Sequence, residues 1–220
     1  MITKKIFNLF LYLGRYFSFL KENYYLDKKI NFGSRKANKF FISELTKTKS
    51  YFEIGSGNST FYAVKLKKKY LSVEADKSFF NYMKNYKLKN IVYSDLGPTK
   101  YFSYPIIPVF IIKEQIKSYA QTVNLFIRKY NTIPELILID GRFRAYCVLS
   151  ILKIICNSKY HFRTKIIIDD YKSRKDYRVL NTIIKVKITE RFGVIDVTNK
   201  TKLNYKKIEK LKKNKINNFI

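Results

Sequence analysis

The sequence has no tryptophan, one histidine, two cysteines, four prolines and seven glycines in 220 residues. A single histidine, His161, excludes any mechanism that needs two, and it excludes zinc sites of the Cys₂His₂ kind. Two cysteines, Cys147 and Cys156, cannot staple a disulfide scaffold, so the expected setting is reducing and cytoplasmic. Proline and glycine are too sparse for a flexible linker, and no internal repeat is present. Acidic residues are scarce as well: sixteen stand against forty-five lysines and arginines, a formal charge of +29. Charge of that size attracts polyanions such as RNA, DNA, anionic lipid or acidic glycan. The chain is also crowded with Lys, Asn, Ile, Tyr and Phe, all encoded by AT-rich codons. A solvated lysine-rich surface is therefore the plainer reading of the charge.

A long apolar run is missing too. The most apolar stretch, residues 6–20, is interrupted by Arg15 and is shorter than the ~20 apolar residues a bilayer span needs. Lys4 and Lys5 precede it, but no small-residue cleavage site follows. Two readings stay open: an amphipathic helix packed on the domain or a partner, or an interfacial helix giving peripheral membrane association.

At 46% hydrophobic and 17% aromatic residues the chain can build a substantial core. Short runs rich in β-branched and aromatic residues fall at 51–54, 70–73, 91–93, 136–139 and 165–168. Each reads as a buried parallel strand. Helix-length segments at 60–68, 77–86, 113–130 and 144–157 separate them. That alternation predicts an α/β fold with a Rossmann-like, doubly wound, mostly parallel sheet. Residues 1–48 read as an N-terminal helical extension, 49–199 as the main domain, and 200–220 as a basic tail. Two closing strands are expected at 183–189 and 194–197. The tail holds eight lysines and one glutamate and reads as a frayed helix or as disordered.

The first chemical signal is Glu53-Ile54-Gly55-Ser56-Gly57-Asn58-Ser59-Thr60, where the first strand meets its helix. Glycines there allow a tight turn and close approach of a ligand. The third glycine of a dinucleotide fingerprint is replaced by Thr60, and Glu53 would repel a pyrophosphate. A carboxylate at that place suits a cationic group instead, such as the ammonium of S-adenosylmethionine. Glu74 follows Gly55 by 19 residues and ends the second run, the position from which a carboxylate binds ribose hydroxyls. Asp95 ends the third run and is placed to reach an adenine amino group.

These segments, with Ser72-Val73-Glu74-Ala75-Asp76, resemble motifs I and II of class I S-adenosylmethionine-dependent methyltransferases. Asp95-Leu96-Gly97-Pro98-Thr99, Asp140-Gly141-Arg142-Phe143-Arg144 and Ile168-Asp169-Asp170-Tyr171 resemble a bacterial subgroup of methyltransferase-like proteins. That subgroup's pattern expects Trp-Gly where this chain has Phe102-Ser103 before Tyr104-Pro105. The resemblance implies that Glu53, Gly55, Ser56, Gly57, Ser59, Glu74, Ala75 and Asp95 bind S-adenosyl-L-methionine.

Asp140, Asp169 and Asp170 end the fourth and fifth strands, so all three should face the ligand crevice. In one reading Asp140 or Asp170 is a general base for a substrate hydroxyl or amine. In the other the three carboxylates hold Mg²⁺, an arrangement resembling catechol-type O-methyltransferases. Arg142 and Arg144 could clamp an anionic substrate, and Tyr171 would line the same pocket. For Arg144 an internal ion pair is the competing role. The expected activity is methyl transfer to an oxygen or nitrogen of a small-molecule or sugar-like acceptor. The alternatives are an RNA methyltransferase, a non-catalytic basic protein that binds nucleic acid or membrane, and a nicotinamide-dependent oxidoreductase.

Overall fold

The computed structural model describes residue 27 and residues 29–100 and 103–214. The apolar stretch at 6–20, with its membrane reading, lies outside the described residues.

Helix α1 (Arg35–Lys47) is capped by Ser34, whose hydroxyl accepts from the Ala37 amide. It leads into β1 (Ser50–Ile54), α2 (Asn58–Lys65), β2 (Lys69–Glu74), α3 (Lys77–Lys84) and β3 (Ile91–Tyr93). A small hairpin follows, β4 (Thr99–Lys100) with β5 (Tyr104–Pro105). Then come α4 (Lys113–Ala120), α5 (Val123–Tyr130), β6 (Leu136–Ile139), α6 (Arg144–Cys156) and β7 (Arg163–Ile168). A 3₁₀ helix (Lys175–Thr182), the strands β8 (Lys187–Thr189) and β9 (Phe192–Thr198), and α7 (Tyr205–Asn214) complete the described chain.

Seven strands form one sheet in the order β3-β2-β1-β6-β7-β9-β8. The first five are parallel; β9 and β8 close it antiparallel. This is the Rossmann-like doubly wound sheet that the sequence rhythm predicts. Chain order runs outward from β1 to β3, then returns to β6 on the other side of β1. The switch point therefore lies between β1 and β6, and the crevice at their carboxyl ends is where such sheets bind ligands.

Strand alternation sorts the core into two layers. Phe52, Ile54, Ile137, Ile139, Ile166 and Ile168 face α4, α5 and α6. Tyr51, Leu136, Leu138 and Ile167 face α1 and α2. Helix α6 is apolar on most sides from Ala145 to Ile155, with Ser150 and Lys153 the exceptions, because α7 and the 3₁₀ helix cover its outer side.

Two elements differ from expectation. The segment 113–130 is two helices, broken where the Thr122 hydroxyl bonds the Tyr119 carbonyl in place of a helical amide. The basic tail contains a docked helix: Ile208 of α7 is fully buried, and Glu209 pairs with Lys153 at 2.8 Å. Lys206, Lys207, Lys210 and Lys213 are exposed, Lys212 lies over the Tyr146 ring of α6, and one apolar stripe suffices to hold the helix. Among the described residues no helix is long and apolar enough to cross a membrane.

Candidate functional site

The loop after β1 is shaped by two glycines with different roles. Gly55 has φ +97, and a Cβ there would stand 2.6 Å from the Gly141 amide nitrogen. Gly141 is equally confined, since a Cβ would lie 2.1 Å from the Tyr119 hydroxyl. The two glycines thus let the β1 and β6 tips meet backbone to backbone. Gly57 is the opposite case: a Cβ would meet nothing within 4 Å. Its open face is where a ligand can approach.

The loop amides are already committed. Gly55 N–H donates to the Val73 carbonyl at 2.9 Å, Ser56 N–H to Glu74 Oε2 at 3.2 Å, and Gly57 N–H to Thr60 Oγ1 at 3.1 Å. A diphosphate-binding loop needs such amides free to point at the anion.

Glu53 is placed differently from its expected role. Its side chain lies on the α1/α2 face with Tyr51, two residues earlier, as strand alternation requires. It is fully buried and accepts from Tyr51 Oη at 2.6 Å, from Ser59 Oγ at 2.5 Å and from the Thr60 hydroxyl. Burial raises its pKa, and the three hydroxyls oppose the rise. The carboxylate expected to meet a cationic ligand, and Ser59 with it, instead ties the β1 tip to the first turn of α2.

Glu74 sits at the loop itself. Its Oε1 accepts from the Ala75 and Asp76 amides, each at 2.8 Å, and from Ser103 Oγ at 2.9 Å. Its Oε2 takes only the Ser56 amide in the described contacts. Burial pushes its pKa up to about 7, against the lowering effect of these donors. Ala75 is buried beneath it and presents only its amide. Asp95, half-buried at the β3 end, holds its own turn by accepting from Gly97 N at 2.8 Å and Tyr93 Oη at 2.9 Å.

The raised Glu74 pKa has a thermodynamic consequence. Its stabilising effect is fully present below the unfolded value of 4.5 and is lost as pH rises through about 7. The stability of the ligand-free protein relative to its Glu74→Gln variant should therefore fall by about 3 kcal/mol between pH 4.5 and 8. Denaturant titration of both proteins across that range measures the difference. A flat difference would show that the carboxyl is not desolvated.

The second constellation is built around Arg144, the first residue of α6, which is almost completely buried. Four hydrogen bonds and an ion pair surround its guanidinium. Nε donates to Gly141 O at 3.0 Å, and Nη1 to Asp169 O at 2.7 Å and Asp170 Oδ2 at 3.1 Å. Nη2 donates to Asp140 O at 3.0 Å and pairs with Asp140 Oδ1 at 2.8 Å. Its guanidinium is enclosed by these partners, so Arg144 takes the internal ion-pair role and not that of a substrate clamp. Asp169 and Asp170 have a second cation, Arg191, which the sequence reading missed. Its Nη2 reaches Asp169 Oδ2 at 3.0 Å and also bonds Asp170, while Nη1 donates to the Phe32 carbonyl at 2.9 Å. The Nε contact to Asp169 Oδ1, at 2.7 Å, is an ion pair too bent to be a hydrogen bond. Arg191 lies in the β8–β9 turn, far along the chain, and no local pattern announced it.

This arrangement does not fit Mg²⁺. Asp140, Asp169 and Asp170 point at guanidinium groups, and no set of three metal-binding side chains converges among the described residues. Asp140 is the most exposed of the three side chains, at 35% against 26% for Asp170 and 6% for Asp169. Despite that exposure its pKa is raised, first by desolvation and then by Asp169 and Asp170, with Arg144 opposing. Tyr171 is not at the crevice: its ring packs on Gly193, where a Cβ would come within 2.5 Å, and its hydroxyl accepts from Asn181 at 2.9 Å. Phe143 and Asp170 both adopt positive φ, +54 and +58, at the β6 and β7 ends. Such local strain gathers at sites that the surrounding packing holds in place. Cys147 and Cys156 are free thiols; burial raises both pKa values, that of Cys156 to about 11, and neither is poised to react.

No protein-family model matches the chain, and no curated protein matches it. Among solved structures, it is similar to a methyltransferase-like protein from Silicibacter pomeroyi DSS-3. The TM-score is 0.64 at 23% identity, covering 78% of this chain and 90% of that one. A looser likeness, TM-score 0.36 at 13% identity over 78% and 76%, is to a candidate tRNA (m1A22) methyltransferase of Streptococcus pneumoniae in complex with S-adenosyl-L-methionine. The first likeness shows that the chain has a methyltransferase-like fold.

Proposed function

We propose that the chain is an S-adenosylmethionine-dependent methyltransferase acting on an oxygen or nitrogen of a small-molecule or sugar-like acceptor. The observation that carries this reading is the loop at the switch point. The Gly55, Ser56 and Gly57 amides are spent on Val73, Glu74 and Thr60, so those three are not free to cradle a diphosphate, while Gly57 is open and Glu74 stands beside it. With Glu53 enclosed, the discrimination against a dinucleotide rests on these amides and not on repulsion by that carboxylate. The fold likeness to the methyltransferase-like protein of Silicibacter pomeroyi agrees with it.

The residues present suit such a donor. Glu74 would take ribose hydroxyls, for which the Ser103 hydroxyl is a chemical stand-in. Gly55, Ser56 and Gly57 would lie against the donor, and Asp95 would stand at its adenine end. Glu53 and Ser59 hold the loop in shape without touching it. When bound, S-adenosylmethionine supplies an electrophilic methyl group on sulfur. Asp140, the exposed carboxylate at the β6 tip, would accept the acceptor's proton; a pKa raised towards neutrality suits that task. Asp170 is less exposed and bonded to both arginines, so it would orient the site through Arg144. Most of the acceleration would come from alignment and exclusion of water.

Titration calorimetry with S-adenosylhomocysteine and with NADH tests the reading. Heat from the first and none from the second is expected; the reverse would overturn it. A Gly57→Val variant gives a sharper check. The backbone at Gly57 is extended and a Cβ meets nothing, so the cost should be that of an apolar residue at a helix N-cap, about 1 kcal/mol, and the fold should be retained. S-adenosylhomocysteine should nevertheless lose most of its affinity, because the added methyls fill the approach. Unchanged affinity in the folded variant would move the donor elsewhere.

The charge of +29 favours one alternative acceptor, RNA. Methyl incorporation into RNA, with binding that weakens steeply with salt, would select it.

A further inference from the structure

Arg142 is a buried guanidinium with no counter-charge among the described residues. It is only 9% exposed, its Nε is buried without a hydrogen-bond partner, and it forms no ion pair with a carboxylate among the described residues. The nearby carboxylates are taken: Asp140 by Arg144, and Asp169 and Asp170 by Arg144 and Arg191. What Arg142 does touch is an aromatic ring, with its Cζ 4.1 Å from the centroid of Tyr104 in the β4–β5 hairpin. Besides the ring, the guanidinium has only the neutral Tyr104 hydroxyl as a side-chain partner, and a buried guanidinium with no counter-charge is costly unless an anion completes it. Its planar fork matches a carboxylate or a phosphate in two parallel hydrogen bonds.

We propose that Arg142, together with Arg174 and the Tyr104 ring, is the anion subsite of the acceptor pocket, and that the acceptor carries a carboxylate or phosphate which supplies the missing counter-charge. The word acceptor rests on the methyltransferase reading; the anion site does not. Its position supports the assignment. Arg142 follows Asp140 by two residues at the switch point, and Ser103, next to Tyr104, reaches Glu74 on the donor side. The subsite thus spans from the proposed proton acceptor to the edge of the donor loop. Burial raises the Tyr104 hydroxyl pKa, but the Arg142 and Arg174 guanidiniums outweigh it and hold the value below 10.0. Neither Arg142 nor Arg174 has an ion-pair partner among the described residues, so the positive charge beside Tyr104 is not neutralised there.

The probes are inorganic phosphate and acetate, titrated by calorimetry at constant ionic strength into the full-length protein. One saturable site per chain is expected for at least one of them, and the tighter of the two identifies the anion class. Arg142→Gln should weaken that site about ten- to a hundredfold. Lys206→Gln with Lys210→Gln, on the outer face of α7, should leave it unchanged. Absence of a saturable site, equal affinity in Arg142→Gln, or loss in the α7 variant would overturn the proposal. Should Arg142→Gln fail to fold, the wild-type protein still decides. Bound anion cancels the charge that lowers Tyr104, so the ¹³Cζ titration of Tyr104 should move to higher pH on adding phosphate or acetate. A titration that does not move overturns the proposal. S-adenosylhomocysteine binding, measured in parallel, separates the two readings: its loss with the anion site intact strikes only the donor assignment, and the converse strikes only this one.

Discussion

Arg144→Met should destabilise the protein by about 3–5 kcal/mol, the usual result of stripping one partner from a buried charge network. For a chain of this size that is roughly 10 °C in Tm. The reason is the completeness of the hub. Four hydrogen bonds and an ion pair tie it to two side-chain carboxylates and three backbone carbonyls from the β6 and β7 ends. Removing them leaves Asp169 and Asp170 to Arg191 alone, and Asp140 to nothing. Arg144→Lys should recover little, because one ammonium cannot reach five acceptors. The defect should also shrink as pH falls, since Asp140, whose pKa is already raised, takes up a proton and ceases to be an unpaired charge. Thermal melts of both variants at pH 5 and pH 8 measure this. A Tm within 2 °C of wild type at pH 8 would mean that the network contributes no net stability.

Glu74→Ala should weaken S-adenosylhomocysteine binding about 100-fold or more, through the loss of two hydroxyl–carboxylate hydrogen bonds. It also frees the Ser56, Ala75 and Asp76 amides that shape the loop. Glu74→Gln, which retains one acceptor oxygen, should fall between. In the wild type the affinity should rise with pH through about 7, as Glu74 ionises and becomes a stronger acceptor. Calorimetry at pH 6 and pH 8 reads both effects. An affinity that is independent of pH and of Glu74 would place the ribose elsewhere.

The donor and acceptor ends differ in how legible they were. The parallel strands, the glycine turn and the placement of Glu74 at a strand tip follow from local apolar runs and from spacing along the chain. Those features are written over distances of a few residues to one βαβ unit, and the structure has them at the expected positions. Glu53 was misread because strand position alone does not say which face a side chain takes. Its partners, Tyr51, Ser59 and Thr60, are all within seven residues, and two-residue alternation from a core tyrosine was the available signal. The metal reading of Asp140, Asp169 and Asp170 failed for a different reason. Counting acids at strand tips gives no account of which cations fold back onto them.

Composition and periodicity by themselves determined the sheet, its parallel run and the crevice at its carboxyl edge, because burying apolar strands between helices admits few arrangements. Spacing along the chain also picked out the carboxylates at the strand tips, with Arg142 and Arg144, but not Arg191. Tertiary structure alone decided how those charges pair. Arg191 arrives from a hairpin 21 residues beyond Asp170, Tyr104 from another hairpin 38 residues before Arg142, and Ser103 closes on Glu74 from 29 residues away. Electrostatic pairing depends on distance in space and on desolvation, and neither is encoded in the order of residues.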